Sequence, residues 1–205
     1  VVVVTQRLFL AAALIEDARH ALATRLEAMI PGGAPGRVVP IANWHVTLRF
    51  LGTVTEVRRD RLLATLDEDI DGAPFTVRLT GLGAFPKPSR ATVLWVGVDD
   101  PTGGLERLAG RCEEAARAVG LEPEERPFHP HVTLARIRPA LSVAALIDGT
   151  VKAGVRFRVD VVTLYRTLTG GKGARYEVAD TIDLTGRRVV AHRPGTIRAS
   201  DPERQ

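Results

Sequence analysis

The tetrapeptide His-Val-Thr-Leu occurs twice in the chain, at residues 45–48 and 131–134, 86 residues apart. That spacing is too long for a solenoid repeat, whose units run to about 20–50 residues. It suits a duplicated half-domain in which each copy carries its own helices and strands. A β-strand turns successive side chains to opposite faces, so His45 and Thr47 share one face while Val46 and Leu48 take the other. His131 and Thr133 are arranged alike, opposite Val132 and Leu134. If two such lobes meet about an approximate twofold axis, two imidazoles and two hydroxyls converge on one cleft.

The segments around the two copies fit that organisation. Residues 7–13 read as a buried strand and 14–30 as a helix, with Leu14, Ala18, Leu22, Leu26 and Met29 at helical spacing. PGGAPG at 31–36 stops that helix before the strand carrying the first motif. Residues 57–70 predict a second helix. FTVRLTGLGAF and ATVLWVGV predict an antiparallel pair joined by the turn FPKPSR. In the second half a helix over 105–119 precedes the strand HVTLAR, and a short helix around 141–147 follows it. GVRFRVDVVTLYRTL alternates from Val155 to Val161, with Arg156, Arg158 and Asp160 on the other face, and TGGKG turns it into the hairpin partner RYEVADTIDL. From Arg187 the chain is polar, arginine-rich and aperiodic. This predicts a flexible tail at 187–205 after a single bilobal domain at 1–186.

Paired histidines have an evident use in breaking a phosphodiester. In-line displacement needs a base for the incoming nucleophile and an acid for the departing oxygen, on opposite sides of phosphorus. Imidazole, with an ordinary pKa near 6.5, lets one copy be neutral and the other protonated around neutral pH. Threonine hydroxyls can donate to the non-bridging oxygens, where negative charge accumulates. A singly charged diester makes no obligatory demand for a metal.

HVTLRFLG, PFHPHVTLAR, the opening RLFLAAAL, the run from Phe85-Pro86 to Trp95 and LYRTLTGGKGARYEV together resemble the 2H phosphoesterase superfamily. Within it they are most similar to the RNA 2′,3′-cyclic phosphodiesterases, also called 2′-5′ RNA ligases, and the resemblance runs from about residue 7 to residue 184. It implies an α+β fold of two pseudo-symmetric lobes, each with an antiparallel sheet and flanking helices, around a central cleft. It implies hydrolysis of RNA 2′,3′-cyclic phosphate ends to 2′-phosphate ends without cofactor or metal, and ATP-independent 2′-5′ ligation in reverse. By similarity His45 is the proton donor to the departing 3′ oxygen and His131 the base that activates water, although the pseudo-symmetry leaves this assignment reversible on sequence alone. The resemblance likewise implies that Thr47 and Thr133 bind phosphate oxygens. Arg136 matches the family motif, yet its offset of five from His131 sends it to the wrong strand face unless a bulge intervenes. Arg49, at offset four from His45, has the right parity and is a second candidate. Phe85 and Arg90 flank the FPKPSR turn and can hold the terminal base.

Other readings stay open. His129-Pro130-His131 has the i, i+2 spacing by which a strand presents two zinc ligands, without an evident third. A non-catalytic RNA-end binder is a further alternative, though binding alone does not require a matched acid and base. The formal charge of +4 permits RNA ends or small nucleotides as partners. No apolar run approaches a membrane span, and the stretch RLFLAAALI leads into an amphipathic helix rather than a cleavage site. The single cysteine, Cys112, lies on the apolar face of the 105–119 helix and fits a reducing, cytoplasmic setting. The cleft needs no partner chain, so a monomer is expected.

Overall fold

A computed structural model describes residues 4–69, 73–149, 152–170 and 173–185. The arginine-rich segment 187–205 lies outside the described residues. In order come β1 (Thr5–Ala13), α1 (Glu16–Met29), β2 (Arg37–Val38), β3 (His45–Thr55), α2 (Glu56–Asp69), β4 (Phe75–Phe85), β5 (Ala91–Asp99), α3 (Gly104–Ala118), β6 (His131–Leu141), α4 (Ala144–Asp148), β7 (Arg156–Val159), β8 (Val161–Gly170) and β9 (Gly173–Asp183). Short 3-10 turns at Ile41–Asn43 and Pro88–Arg90 precede β3 and β5.

The strands form two antiparallel sets of four, β7-β4-β5-β6 and β3-β1-β8-β9, joined edge to edge where β3 meets β6. The register there pairs Val46 with Val132. These are equivalent residues of the two motif copies, so the pseudo-twofold axis passes between them. On each side the motif strand lies at the seam with the strand that precedes its helix next to it, β1 beside β3 and β5 beside β6.

The lobes are not the two halves of the chain. β8 returns to pair with β1 and β9 pairs with β8, completing the lobe begun by the N-terminal strands. The alternating segment around Asp160 accordingly splits into two strands. β7 pairs with β4 in one lobe and β8 pairs with β1 in the other. The burial pattern changes phase across Asp160, from alternation in β7 to three consecutive buried residues at 162–164, which marks the break.

Val46, Leu48, Val132 and Leu134 are buried in a cluster with Ala18 and Leu22 of α1, Leu62 and Leu66 of α2, and Leu105 and Cys112 of α3. The helices therefore cover the face that the apolar halves of both motifs present. The opposite face is left to the histidines and threonines. Among the described residues no helix is long and apolar enough to cross a membrane.

Candidate active site

His45 and His131 are both half-buried on the open face of the seam. An antiparallel register centred on Val46 and Val132 sets His45 across from Thr133 and Thr47 across from His131. The two histidines are then diagonal neighbours, whose Cβ atoms stand roughly 7–8 Å apart. A phosphate group fits between two side chains at that separation.

The local sequence fixes each ring in the same way. His45 Nδ1 donates to the carbonyl of Asn43 at 2.7 Å, and His131 Nδ1 donates to the carbonyl of His129 at 2.7 Å. A backbone carbonyl can only accept, so Nδ1 carries the proton in both neutral rings and Nε2 is the nitrogen left for chemistry. Thr47 Oγ1 donates to His45 Nε2 at 3.1 Å.

The environments differ in depth. Burial pushes His45 down from 6.5 to about 4, opposed by its carbonyl partner and reinforced by the charges of His131 and Arg136. Burial also lowers His131, opposed by the His129 carbonyl and helped by the charges of His129 and Arg136. In the free protein both rings are neutral at pH 7, and each can accept a proton when an anion arrives.

Aromatic side chains wall both rings. Phe9, Tyr165 and Tyr176 lie 4.9, 5.8 and 5.5 Å from His45, ring centre to ring centre. Phe85, Trp95 and His129 lie 5.0, 5.9 and 6.1 Å from His131. The Trp95 indole is laid flat over Gly83, where a Cβ would come within 2.0 Å of the ring. Phe85 thus stands against the His131 ring. Arg90 ends the turn between β4 and β5 with an exposed side chain.

The two arginine candidates separate at a pair of matching β-bulges. Ala11 pairs with Thr47 and Leu10 with Arg49, so Leu48 is the extra residue; Trp95 pairs with Thr133 and Leu94 with Ala135, so Leu134 is. Each bulge reverses the parity that follows. Arg136, opposite Val93, is returned to the face of His131 and Thr133. Its charge reaches both imidazoles. Arg49 is turned away from the cleft, which corrects the expectation from strand parity. It is 8% exposed and donates to the Glu113 carboxylate and to the carbonyls of Phe50 and Glu122. These bonds tie β3 to α3 and to the segment after it. The position equivalent to Arg136 in the first lobe is held by Phe50, 49% exposed and 6.0 Å from Phe9.

Among the described residues the zinc alternative finds no third donor. Among the described residues no three His, Cys, Asp or Glu side chains gather where they could hold a metal ion, and the His129 ring packs against Phe85 and Trp95. The residues that sequence reasoning missed are Phe9 of β1, Tyr165 of β8 and Tyr176 of β9, the last two supplied by the return of the chain to this lobe. Their only trace in the sequence is an aromatic in each of three alternating segments.

A two-lobed antiparallel fold with a His-x-Thr pair at its seam defines a class, and the comparisons agree: the chain belongs to the 2′-5′ RNA ligase superfamily, whose profile matches residues 12–171. An RNA 2′,3′-cyclic phosphodiesterase of Aeropyrum pernix is 38% identical over 157 residues, 69% of this chain and 89% of the relative. The enzyme of that name from Escherichia coli K12 is 36% identical over 131 residues, 64% of this chain and 72% of its own length. A crystal structure of E. coli LigT complexed with 3′-AMP superposes with a TM-score of 0.76 at 31% identity, covering 89% of this chain and 99% of that one. A structure from Thermus thermophilus gives 0.74 at 30% identity, with coverages of 89% and 100%.

Proposed function

We propose that the protein hydrolyses RNA 2′,3′-cyclic phosphate ends to 2′-phosphate ends by metal-independent general acid–base catalysis. The observation that carries this reading is the matched pair of imidazoles at the seam, both with Nδ1 held by a backbone carbonyl, which makes Nε2 the nitrogen that exchanges protons with the substrate. Water attacks phosphorus while His131 Nε2 takes its proton. The bond to the 3′ oxygen breaks, and that oxygen receives a proton from His45 Nε2, leaving the phosphate on the 2′ oxygen. Thr47, Thr133 and Arg136 hold the non-bridging oxygens as charge accumulates on them. Phe85 and Arg90 receive the terminal nucleotide. With an RNA 5′-hydroxyl in place of water as the nucleophile, the same displacement forms a 2′-5′ linkage and consumes no ATP. The RNA or nucleotide is the only partner the reaction requires, and the setting is cytoplasmic.

His45 is neutral in the free protein at pH 7. The bound diester brings a negative charge beside it, which raises its proton affinity and supplies the acid. The opposite allocation, with His45 as base and His131 as acid, carries the same number of protons and gives the same pH profile. A change of leaving group separates the two. Sulfur in place of the 3′ oxygen leaves without protonation, so it rescues the variant that lacks the acid and not the one that lacks the base.

The test is an oligonucleotide with a 2′,3′-cyclic phosphate incubated in excess EDTA. Turnover to the 2′-phosphate is expected, with losses of about 10²–10⁴-fold on His45→Ala or His131→Ala and thio-rescue of His45→Ala. Binding without turnover, or turnover only after zinc is added, refutes the reading.

A further inference from the structure

The loop PGGAPG, which stops α1, also lines a cavity on the helix side of the sheet. The space has a volume of about 410 Å³, within the range of small-molecule sites. Its walls are Leu26 and Ile30 of α1, Val38 of β2, Ile41, Trp44 and Leu134 of β6, and residues 32–34 of the loop complete the lining. Gly36 sets the loop down on β6. Its φ is +82°, and a Cβ there would lie 2.6 Å from the Arg136 carbonyl oxygen, so only glycine lets the chain come in this closely.

Two features set this cavity apart from a gap in the packing. Val38 and Ile41 are 54% and 44% exposed, so the lining includes large apolar side chains that folding leaves in water. Glu27 is the one charged side chain of the lining. It is exposed, and it has no ion-pair or hydrogen-bond partner among the described residues. An apolar space with a lone carboxylate beside it is complementary to a molecule with an apolar body and a cationic head.

The cavity backs onto the face of the histidines. Trp44 precedes His45 and closes the turn at Ile41–Asn43, its N–H donating to the Ile41 carbonyl at 3.1 Å. The last residue of that turn, Asn43, gives its carbonyl to His45 Nδ1. Leu134 is the extra residue of the bulge that returns Arg136 to the cleft. A molecule seated against Trp44 and Leu134 therefore bears on what positions groups of both lobes.

We infer that this cavity binds small molecules made of an apolar body and a protonated amine, and that occupancy is transmitted to His45 through the turn at Ile41–Asn43. The site is separate from the cleft, its ligand carries no phosphate, and the chemistry at phosphorus makes no use of it.

The test is an NMR titration of the full chain with 4-phenylbutylamine, 4-phenylbutanol and 4-phenylbutanoate, which share a body and differ in the charge of the head. The chain has two tryptophans, and Trp95→Phe assigns their indole N–H signals. The amine is expected to shift Trp44 saturably and to leave Trp95 in place, with the His45 ring signals moving at the same concentrations. It should bind about three- to fivefold more tightly than the alcohol, the worth of an exposed ion pair, and the carboxylate should bind more weakly than either. Glu27→Gln should remove the advantage of the amine. Ala23→Leu puts a good helix former into the lining and should weaken all three at least tenfold by filling the space. No shift at Trp44, a shift at Trp95 instead, or equal affinity for the three heads overturns the inference, and a Trp44 shift that leaves His45 unmoved overturns the transmission. A Trp44 signal that moves when the protein alone is diluted would assign the cavity to a second copy of the chain and overturn the inference likewise.

Discussion

Replacing His45 with glutamine removes a ring that folding desolvates in its neutral form. The folded pKa of about 4 lies below the ordinary 6.5. As pH falls through 6.5 the unfolded chain therefore takes up a proton that the folded chain refuses until about pH 4. Stability from this residue is fully present above pH 6.5 and is lost progressively between 6.5 and 4. At pH 4.5 the loss amounts to about 2–3 kcal/mol. Carboxylates titrate in the same range, so the quantity to follow is the difference between wild type and His45→Gln. Urea unfolding from pH 8 to pH 4.5 should show the wild type losing about 2–3 kcal/mol more than the variant. Imidazole resonances in NMR give the second readout: His45 should titrate well below 6.5 and below His131, and a phosphate-bearing nucleotide should raise both. Parallel stability curves for the two proteins, or a His45 that titrates at 6.5 or above in the free protein, would refute the reasoning.

The bulges separate two arginines that look alike in the sequence. Arg136→Gln should lower the rate on a cyclic phosphate by about 10–100-fold with little change in unfolding midpoint. Arg49→Met should do the reverse, destabilising by about 2–4 kcal/mol because Glu113 and two carbonyls lose their donor, with the folded fraction retaining its rate; equal effects on both properties would contradict the assignment. Gly83→Val drives a side chain into the Trp95 indole, and the displaced indole disturbs the wall beside His131. Activity should fall by at least tenfold, and near-UV circular dichroism should report the altered tryptophan. An unchanged spectrum and rate would show that the indole does not need its flat seat on Gly83.

Much of the site can be read from the linear sequence because a strand's two-residue period is local. His45 with Thr47 and His131 with Thr133 are set on common faces by spacing alone, and Val and Leu at the alternate positions name the buried side. The helices were legible for the same reason, since apolar side chains at helical spacing stand on one face. Parity, however, holds only while the ladder is regular. One extra residue at Leu48 and one at Leu134 exchange the fates of the positions four and five after each histidine. Those extra residues are defined by pairing with β1 and β5, distant in the chain, and nothing within HVTLRF or HVTLAR declares them.

The same distinction runs through the whole molecule. The sequence determined the chemistry: which side chains are available, their grouping in two equivalent strands, and the apolar faces on which the helices close. Tertiary structure decided how these strands meet. The pairing of Val46 with Val132 brings two copies of one motif into a single cleft, and the return of β8 and β9 across the molecule supplies the aromatic wall of His45. A side chain's face follows from its neighbours along the chain. Its partners follow from sheet register, and register is set by the burial of the whole core.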